Sequence, residues 1–579
     1  MALEKNKELL LKGLPIAPGL IIGKALVWRH RKIQPERRFV PEEEREKELL
    51  NFHNTCKIML NDLEKLKKDL SSHIARFIDF QMAILKDTEF IKDVEYLIKE
   101  KGRTADYAVF QVIDNRIDEL VKSGIEYYRD RAKELETLYL DFVSYLRGED
   151  KREVKGKNVV LFADDITIEE SIKIVNSGVK AVVLQEGGKT SHSAIILRDY
   201  KIPAVFGVGD FTDKVENGYT VIINGWKGEV IINPRKTTIE RFKNLFEKYK
   251  KEAKDLFEIK DLPTVTIDGR GVTLMANIDF PEEIDLVLEE GAQGIGLFRT
   301  ELLFYEYGDD EEEQEEVYRN ICEKIYPFPC IIRAFDLGGD KVIKGYREKN
   351  PFLGLRGIRL LLEEEERFRK QIRAVLKANT KGNVKFMIPM VTTLWEVKRS
   401  KSIFQEEAEK LSKKEKINLP DFGIMVEVPS VALTIDRIAP YIDFVSIGTN
   451  DLTQYTLAVD RRNSRVSYLF QHTHPAILNL IKKVVNSGRE HSFRVGVCGE
   501  ISSDPVGIIL LVGLGVGELS LTPSLVLQTK KLIRKVSMEE VENLAEKALN
   551  MGDGDEVNAL VMEFLKKKAP EIVEKYGHF

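Results

Sequence analysis

The feature that most constrains the fold is a regular alternation of short apolar runs with helical segments after about residue 263. Eight runs fall within about 300 residues, the size and rhythm of a (β/α)8 TIM barrel. The carboxyl ends of barrel strands meet on one face, where active sites are built. The predicted strands are Thr273–Ala276, Gly294–Phe298, Cys330–Phe335, Lys385–Pro389, Gly423–Val428, Phe444–Ile447, Arg494–Cys498 and Glu518–Leu521.

The chain before the barrel shows two other patterns. Short β-type runs occur at residues 20–25 and again between residues 158 and 232, while the residues between them have helical spacing. A charged segment, Thr238–Phe257, predicts a helix roughly 30 Å long that holds two domains apart. The predicted architecture is α/β multidomain: an α/β domain of residues 1–34 and 148–235, an inserted helical bundle of residues 35–147, a linker helix of residues 236–262 and a barrel of residues 263–579.

Composition narrows the class of protein. A chain of 579 residues is too long for one hydrophobic core, so several domains are expected. The net charge of −5 argues against nucleic acid or a membrane surface as a partner. The charged N-terminal segment and the lack of a long apolar stretch predict a cytoplasmic protein. The four cysteines are scattered and predict no disulfide framework.

Polar residues follow several predicted barrel strands, where the fold gathers them on one face. They are Arg299, Arg333, Glu427, Asn450, Asp451 and Cys498. Arg356 and Arg461 add two more guanidinium groups to this set. Such groups pair bidentately with phosphate and carboxylate oxygens. The carboxylates of Glu427 and Asp451 are hard ligands that suit Mg²⁺. A single surface arginine or a simple salt bridge explains each residue alone, but their clustering at strand ends favours a binding site for a small anion.

A second candidate site is His192, in the stretch Gly187–Ser193. The stretch follows a predicted strand and precedes the apolar helix Ala194–Leu197. Free N–H groups and the positive dipole at a helix N-terminus stabilise a phosphoryl group, and imidazole is a capable nucleophile. The alternative is a helix-capping serine beside an incidental histidine.

With these residues in view, the chain resembles the enzyme I family of the bacterial phosphoenolpyruvate:sugar phosphotransferase system. The resemblance covers nearly the whole chain, from Gly13–Gly19 onward. It is carried most specifically by Gly187–His192, Gly296–Glu301, Phe335–Lys341, Asn350–Gly354, Met425–Ser430, Gly448–Tyr455 and Val497–Glu500.

The resemblance implies a role for each candidate residue. His192 would be phosphorylated through Nε2, oriented by Asp165 or Thr167, and Cys498 would be the proton donor. Mg²⁺ would be held by Glu427 and Asp451. Phosphoenolpyruvate would be bound by Arg299, Arg333, Arg356, Asn450, Asp451 and Arg461.

The resemblance also implies partners and a sequence of events. The phosphohistidine domain would swivel, and the helical insertion would dock the histidine-containing phosphocarrier protein HPr, with Phe80–Asp87 and Arg131 as contact candidates. The barrel would form a homodimer. Transfer from phosphoenolpyruvate through His192 to HPr, with release of pyruvate, would be the first step of sugar uptake.

Two other functions compete with this one. Pyruvate-phosphate dikinase and phosphoenolpyruvate synthase resemble the chain in their mobile histidine domain and barrel, but they need a large ATP-binding domain, for which the sequence shows no phosphate-cradling loop. A non-catalytic regulator would not need the full set of candidate residues. Three further patterns have ordinary explanations: the His472–His474 pair lacks an obvious third metal ligand, Gly513–Gly517 predicts a helix-to-strand turn, and the acidic run Asp309–Glu316 predicts a first helical turn.

Overall fold

A computed structural model describes residues 7–28, 37–67, 72–122, 126–148, 158–188, 192–338, 348–461, 463 and 465–576. The chain folds as two compact units, Met1–Lys251 and Glu252–Phe579. Within the described ranges, no helix combines the length and the apolar character needed to cross a membrane.

The first unit is built on a mixed sheet of eight strands. In spatial order the strands run β1-β8-β7-β3-β4-β5-β6-β2. The predicted early strand, β3, pairs in parallel with β4, the first strand after the helical segment. The helical segment is therefore an insertion between two neighbouring strands of one sheet. The strands are β1 (Leu9–Lys12), β2 (Leu14–Ala17), β3 (Leu20–Val27), β4 (Val159–Ala163), β5 (Val179–Leu184), β6 (Ala204–Phe206), β7 (Thr220–Asn224) and β8 (Glu229–Ile232).

The helices of this unit bury apolar faces, as their spacing predicts. Phe52, Phe90 and Phe142 lie fully buried at the centre of the bundle, and the rings of Phe52 and Phe142 are 5.9 Å apart. Their burial removes large apolar surfaces from water and holds the bundle together. The helices are α1 (Glu42–Lys67), α2 (Ser72–Lys86), α3 (Thr88–Lys99), α4 (Ala105–Lys122), α5 (Glu126–Leu146), α6 (Ile168–Asn176) and α7 (His192–Asp199). The charged helix α8 (Lys236–Glu258) begins in this unit and ends in the second.

The second unit contains a closed barrel of eight parallel strands in the order β10-β11-β12-β13-β14-β15-β16-β9. All eight predicted barrel strands are present, with ends within two residues of the predicted ones. The fold prediction, a multidomain α/β chain with a C-terminal eight-stranded barrel, is confirmed. The strands are β9 (Thr273–Ile278), β10 (Ile295–Phe298), β11 (Cys330–Arg333), β12 (Val384–Ile388), β13 (Asp421–Val426), β14 (Phe444–Ile447), β15 (Arg494–Val497) and β16 (Glu518–Leu521).

Helices surround the barrel and cover its apolar outer face. Asp310 caps α11 by accepting the N–H groups of Glu312 and Glu313, so the acidic run is a first helical turn, as predicted. The glycine-rich stretch lies between a helix and β16, also as predicted. The described helices are α9 (Ile284–Glu289), α10 (Glu301–Tyr307), α11 (Glu311–Ile325), α12 (Ile358–Glu363), α13 (Glu365–Ala378), α14 (Leu394–Ser412), α15 (Pro429–Ile438), α16 (Thr449–Leu457), α17 (Pro475–His491), α18 (Pro505–Gly513), α19 (Val526–Ile533), α20 (Met538–Ala548), α21 (Gly554–Lys568) and α22 (Pro570–Tyr576).

Candidate active site

The predicted pocket residues lie at the carboxyl ends of the barrel strands. Arg299 directly follows β10, Arg333 ends β11, and Glu427 follows β13. Asp451 lies in the first turn of α16, after β14, and Cys498 directly follows β15. Because all eight strands are parallel, these positions share one end of the barrel.

Arg333 and Arg356 are held by carboxylates. Arg333 Nη2 donates to Glu301 Oε1 at 2.8 Å. Arg356 Nη2 donates to Asp336 Oδ2 at 2.6 Å and to Asp451 Oδ2 at 3.1 Å. Burial alone would lower the pKa of both guanidinium groups, but the neighbouring carboxylates outweigh it and raise the pKa of each. Both groups therefore stay charged and are fixed before any ligand arrives.

Arg299 completes the group of guanidiniums. Its Nη1 donates to Asp279 Oδ1 at 2.9 Å, and Asp279 follows β9 at the same end of the barrel. Burial opposes the charge of Arg299, but Asp279 raises its pKa more than burial lowers it. Three arginines from separate parts of the barrel rim thus converge on one place, where they could bind an anion with several oxygen atoms.

Glu427 is the deepest carboxylate of the site, with 2% of its surface exposed. Its Oε1 accepts the backbone N–H of Met390 at 2.6 Å. Burial, and then the charges of Asp451 and Asp336, raise the pKa of Glu427 to about 8. A buried carboxylate among like charges is stabilised by a cation, so the surroundings of Glu427 fit a metal ligand.

The charge of the site also fits a divalent cation. Five carboxylates face three guanidiniums, so the cluster has two negative charges in excess when all five are ionised, as they would be around a bound cation, and its oxygen donors are those that Mg²⁺ prefers. A second possible metal group, Asp436, Glu490 and His491, is exposed, and Lys483 Nζ already lies 3.2 Å from Asp436. The buried cluster is the better candidate.

Cys498 lies deeper than its position after a strand suggested. It is 3% exposed and packs with apolar side chains inside the barrel, while its Sγ is 3.7 Å from the carbonyl oxygen of Ile447. Burial raises the pKa of the Cys498 thiol, although Arg299 and Arg333 act in the opposite direction. The thiol is therefore protonated at neutral pH and carries a proton that it could donate.

Asn450 and Arg461 meet through a residue that the sequence reasoning missed. Glu500 Oε1 accepts from Asn450 Nδ2 at 3.1 Å and from Arg461 Nη1 at 3.0 Å. The backbone N–H of Glu500 donates to Asn450 Oδ1 at 3.0 Å. The two predicted substrate residues are thus joined by Glu500, which lies two residues beyond Cys498.

The other residues that sequence reasoning missed are the partners of the arginines. Asp279, Glu301 and Asp336 lie just beyond β9, β10 and β11, and Tyr455, whose hydroxyl is 3.3 Å from Arg356 Nη1, lies in α16 after β14. All lie after the carboxyl end of a barrel strand, and this strand-end rule is the one that located the arginines. Applied also to carboxylates and tyrosines, the strand-end rule would have found these residues.

In the first unit, His192 is the first residue of α7. Its side chain and residues 189–191 lie outside the described residues. Thr167 caps α6, accepting the N–H of Glu170 at 3.1 Å, and Asp165 Oδ1 accepts the N–H of Ile166 at 2.8 Å. Which of the two orients His192 stays a prediction.

The predicted HPr contacts lie at the junction of α2 and α3. Met82 and Leu85 are buried in the bundle core, and Asp87 caps α3 while its Oδ2 accepts from Arg116 at 2.8 Å. The side chain of Arg131 lies outside the described residues. A docking role for this junction stays a prediction.

Comparison with known proteins gives consistent matches along the chain. Three family profiles match in succession: "PEP-utilising enzyme, N-terminal" at residues 12–131, "PEP-utilising enzyme, mobile domain" at residues 155–228 and "PEP-utilising enzyme, PEP-binding domain" at residues 253–538.

Curated relatives match over almost their full length. The chain is 36% identical over 571 residues to the phosphoenolpyruvate-protein phosphotransferase of Bacillus subtilis (strain 168), an alignment covering 96% of this chain and 100% of the relative. It is 36% identical over 574 residues to the protein of the same name from Staphylococcus carnosus (strain TM300), covering 96% and 99%. The chain therefore belongs to the phosphoenolpyruvate-protein phosphotransferase family of PEP-utilising enzymes and is a transferase.

Proposed function

We propose that this enzyme takes the phosphoryl group of phosphoenolpyruvate onto His192, releases pyruvate, and passes the group to a histidine of HPr. The reaction would depend on Mg²⁺ and serve as the first step of sugar uptake by the phosphotransferase system, in the cytoplasm. The observation that carries the proposal is the group of three fixed arginines beside two carboxylates, Glu427 and Asp451, at the active end of the barrel.

The arginines provide the anion-binding part of the site. Arg299, Arg333 and Arg356 each have N–H groups suited to paired contacts with phosphate or carboxylate oxygens. Asn450, Asp451 and Arg461 would complete the contacts. Because the guanidiniums are already held by carboxylates, binding requires little reorganisation, which favours both affinity and catalysis.

Glu427 and Asp451 are the proposed metal ligands. When bound there, Mg²⁺ would neutralise charge on the phosphoryl oxygens. Asp451 also accepts from Arg356 at 3.1 Å, so the same side chain fixes an arginine next to the metal position.

The chemistry then needs a nucleophile and an acid. The His192 imidazole would attack phosphorus through Nε2, oriented by Asp165 or Thr167, while the bond from phosphorus to the enol oxygen breaks. The Cys498 thiol would give its proton to the methylene carbon of the enolate, and pyruvate forms. The phosphoryl group on His192 would be stabilised by the N-terminus of α7.

Transfer to a protein requires His192 to reach two places. We propose that the α/β domain, residues 1–34 and 148–235, swivels between the barrel, residues 263–579, and HPr bound to the helical insertion, residues 35–147. The helix within residues 236–262 would act as the linker. The profile match named "mobile domain" at residues 155–228 supports this arrangement.

The proposed homodimer would form through the barrel unit. Large apolar side chains are exposed on this unit, among them Trp395, Leu433 and Tyr468. Exposed apolar residues of this size are typical of protein interfaces.

The test is pyruvate release from phosphoenolpyruvate with HPr as acceptor. We expect release beyond one pyruvate per enzyme to need HPr, and all release to need Mg²⁺ and to stop with a chelator. ATP-dependent labelling of the enzyme without phosphoenolpyruvate would point instead to a dikinase or synthase. Binding of HPr without any phosphoryl transfer would point to a regulator.

A further inference from the structure

Glu500 joins the two segments that carry Asn450 and Arg461. It begins the short helical turn after β15, and Gly499 precedes it. A Cβ at Gly499 would lie 2.8 Å from the backbone nitrogen of Thr449 and closer still to its Oγ1, so only glycine allows the two backbones to approach this closely. This close approach brings Glu500 within hydrogen-bonding distance of Asn450.

The two oxygens of the Glu500 carboxylate have different surroundings. Oε1 accepts from both Asn450 Nδ2 and Arg461 Nη1, whereas Oε2 faces His472 Nε2 at 3.8 Å. That distance is too long for a hydrogen bond, but a small movement of either side chain would form one. Glu500 therefore connects both predicted substrate residues to a histidine.

His472 has little else to interact with. Its Nδ1 is buried and has no hydrogen-bond partner among the described residues, while the ring packs edge-on against Phe470, 4.8 Å between centroids. Nε2 is therefore the ring nitrogen that faces a carboxylate, and a proton taken up there would lie between His472 and Glu500. The charged groups acting on the imidazole are Glu500, after β15, and Arg461, in the loop after α16.

We propose that Glu500 is a positioning residue that holds Asn450 and Arg461 ready for phosphoenolpyruvate, and that His472 takes up a proton to neutralise Glu500 when this anion binds. The inference rests on the function proposed above. An exposed carboxylate beside an anion would repel it, and a protonated His472 cancels that charge without removing the anchor of the two substrate residues.

The sign of the pH effect follows from the same contacts. Burial lowers the pKa of His472, the negative charge of Glu500 raises it, and the positive charge of Arg461 lowers it. When the substrate phosphate compensates the charge of Arg461, the lowering by Arg461 weakens and the imidazole binds a proton more readily. Affinity for phosphoenolpyruvate should therefore increase as pH falls through the titration of His472.

The experiment measures KM and kcat for phosphoenolpyruvate with HPr and Mg²⁺ both kept saturating at every pH. The range runs from about pH 5 to 8.5, because burial lowers the pKa of His472 below that of an ordinary histidine. We expect Glu500→Ala to raise KM about tenfold with kcat within about threefold. Glu500→Gln should recover part of this loss, because its amide oxygen still accepts from Asn450 and Arg461. His472→Gln should match wild type at high pH but lack the fall in KM at low pH.

His474→Asn is the matched control. His474 caps α17 through Nδ1, which accepts the N–H of Ala476 at 3.1 Å, and asparagine is also a good cap. This variant should keep the wild-type pH profile. Because substrate titration is common to all variants, the difference between the two histidine variants isolates His472.

Other outcomes would overturn the inference. A wild-type KM in Glu500→Ala would show that Glu500 does not position the substrate residues. An unchanged pH profile in His472→Gln would remove the proton-uptake step. If wild type itself forms no pyruvate from phosphoenolpyruvate, the proposed function fails first, and the two failures are thereby distinguished.

Discussion

The polar network behind the active site offers the sharpest structural prediction. Gln371, in α13, is fully buried, and its Oε1 accepts the N–H of Phe335 at 3.1 Å. Its Nε2 donates to Thr300 Oγ1 at 3.2 Å and to the Tyr318 hydroxyl at 3.1 Å. Thr300 in turn donates to the carbonyl oxygen of Arg333 at 2.8 Å. One amide therefore holds the ends of β10 and β11 in place.

The substitution Gln371→Met keeps the approximate volume and removes all three hydrogen bonds. The stranded N–H of Phe335 costs about 1–3 kcal/mol, and each of the two lost donor contacts costs ~1 kcal/mol. The added apolar burial of methionine offsets part of this, so we expect a loss of about 3 kcal/mol in the free energy of unfolding. Turnover should also fall, because Arg299 and Arg333 adjoin the disturbed strand ends.

The assay is thermal unfolding of the full chain by calorimetry, followed by kinetics on the same preparation. The matched control is Tyr318→Phe, which removes one partner of Gln371 and should cost ~1 kcal/mol. We expect the Tm of the affected transition to drop about three times as far in Gln371→Met. A Gln371→Met protein as stable as Tyr318→Phe would refute the reasoning that this amide holds the two strand ends.

Three further predictions concern the chemistry. Cys498→Ala should leave the KM for phosphoenolpyruvate in place while pyruvate formation falls about a hundredfold, with phosphoryl exchange from phosphorylated HPr unchanged; near-normal turnover would show that the thiol only packs. Because burial, with Asp451 and Asp336, raises the pKa of Glu427 to about 8, its carboxyl must lose a proton to bind Mg²⁺. Calorimetric Mg²⁺ affinity should then fall by up to about tenfold per pH unit below that value, and a pH-independent affinity would contradict the assignment. A fragment of residues 1 to about 260 should accept phosphate from phosphorylated HPr but not from phosphoenolpyruvate, as electrophoresis of labelled protein would show; direct use of phosphoenolpyruvate would overturn the division of labour.

The barrel could be predicted from sequence because its strands are buried on both faces. β14, for example, has the sequence Phe-Val-Ser-Ile and is buried at all four positions. Such runs, separated by helical segments, leave few alternatives to a parallel barrel. The strand-end rule then located Arg299, Arg333 and Glu427 without any knowledge of their contacts.

Side-chain contacts between loops could not be predicted from the sequence in the same way. Arg356 follows no strand directly, and its place beside Asp451 goes with an isolated β-bridge between Gly338 and Arg356, a pairing that no sequence motif indicates. The role of Glu500 as a junction likewise depends on backbone approach rather than on a motif. Cys498 was expected at a polar strand end but is buried among apolar side chains, since the interior of the barrel extends to that position.

The central claim is that phosphoenolpyruvate phosphorylates His192. Intact mass spectrometry of the full chain after mixing with phosphoenolpyruvate and Mg²⁺ tests it most directly, with His192→Ala as the matched variant. The account predicts one added phosphoryl group that is lost in acid, absent from the variant and dependent on Mg²⁺. An acid-stable phosphate on a serine, or an equal mass increase in His192→Ala, would contradict it.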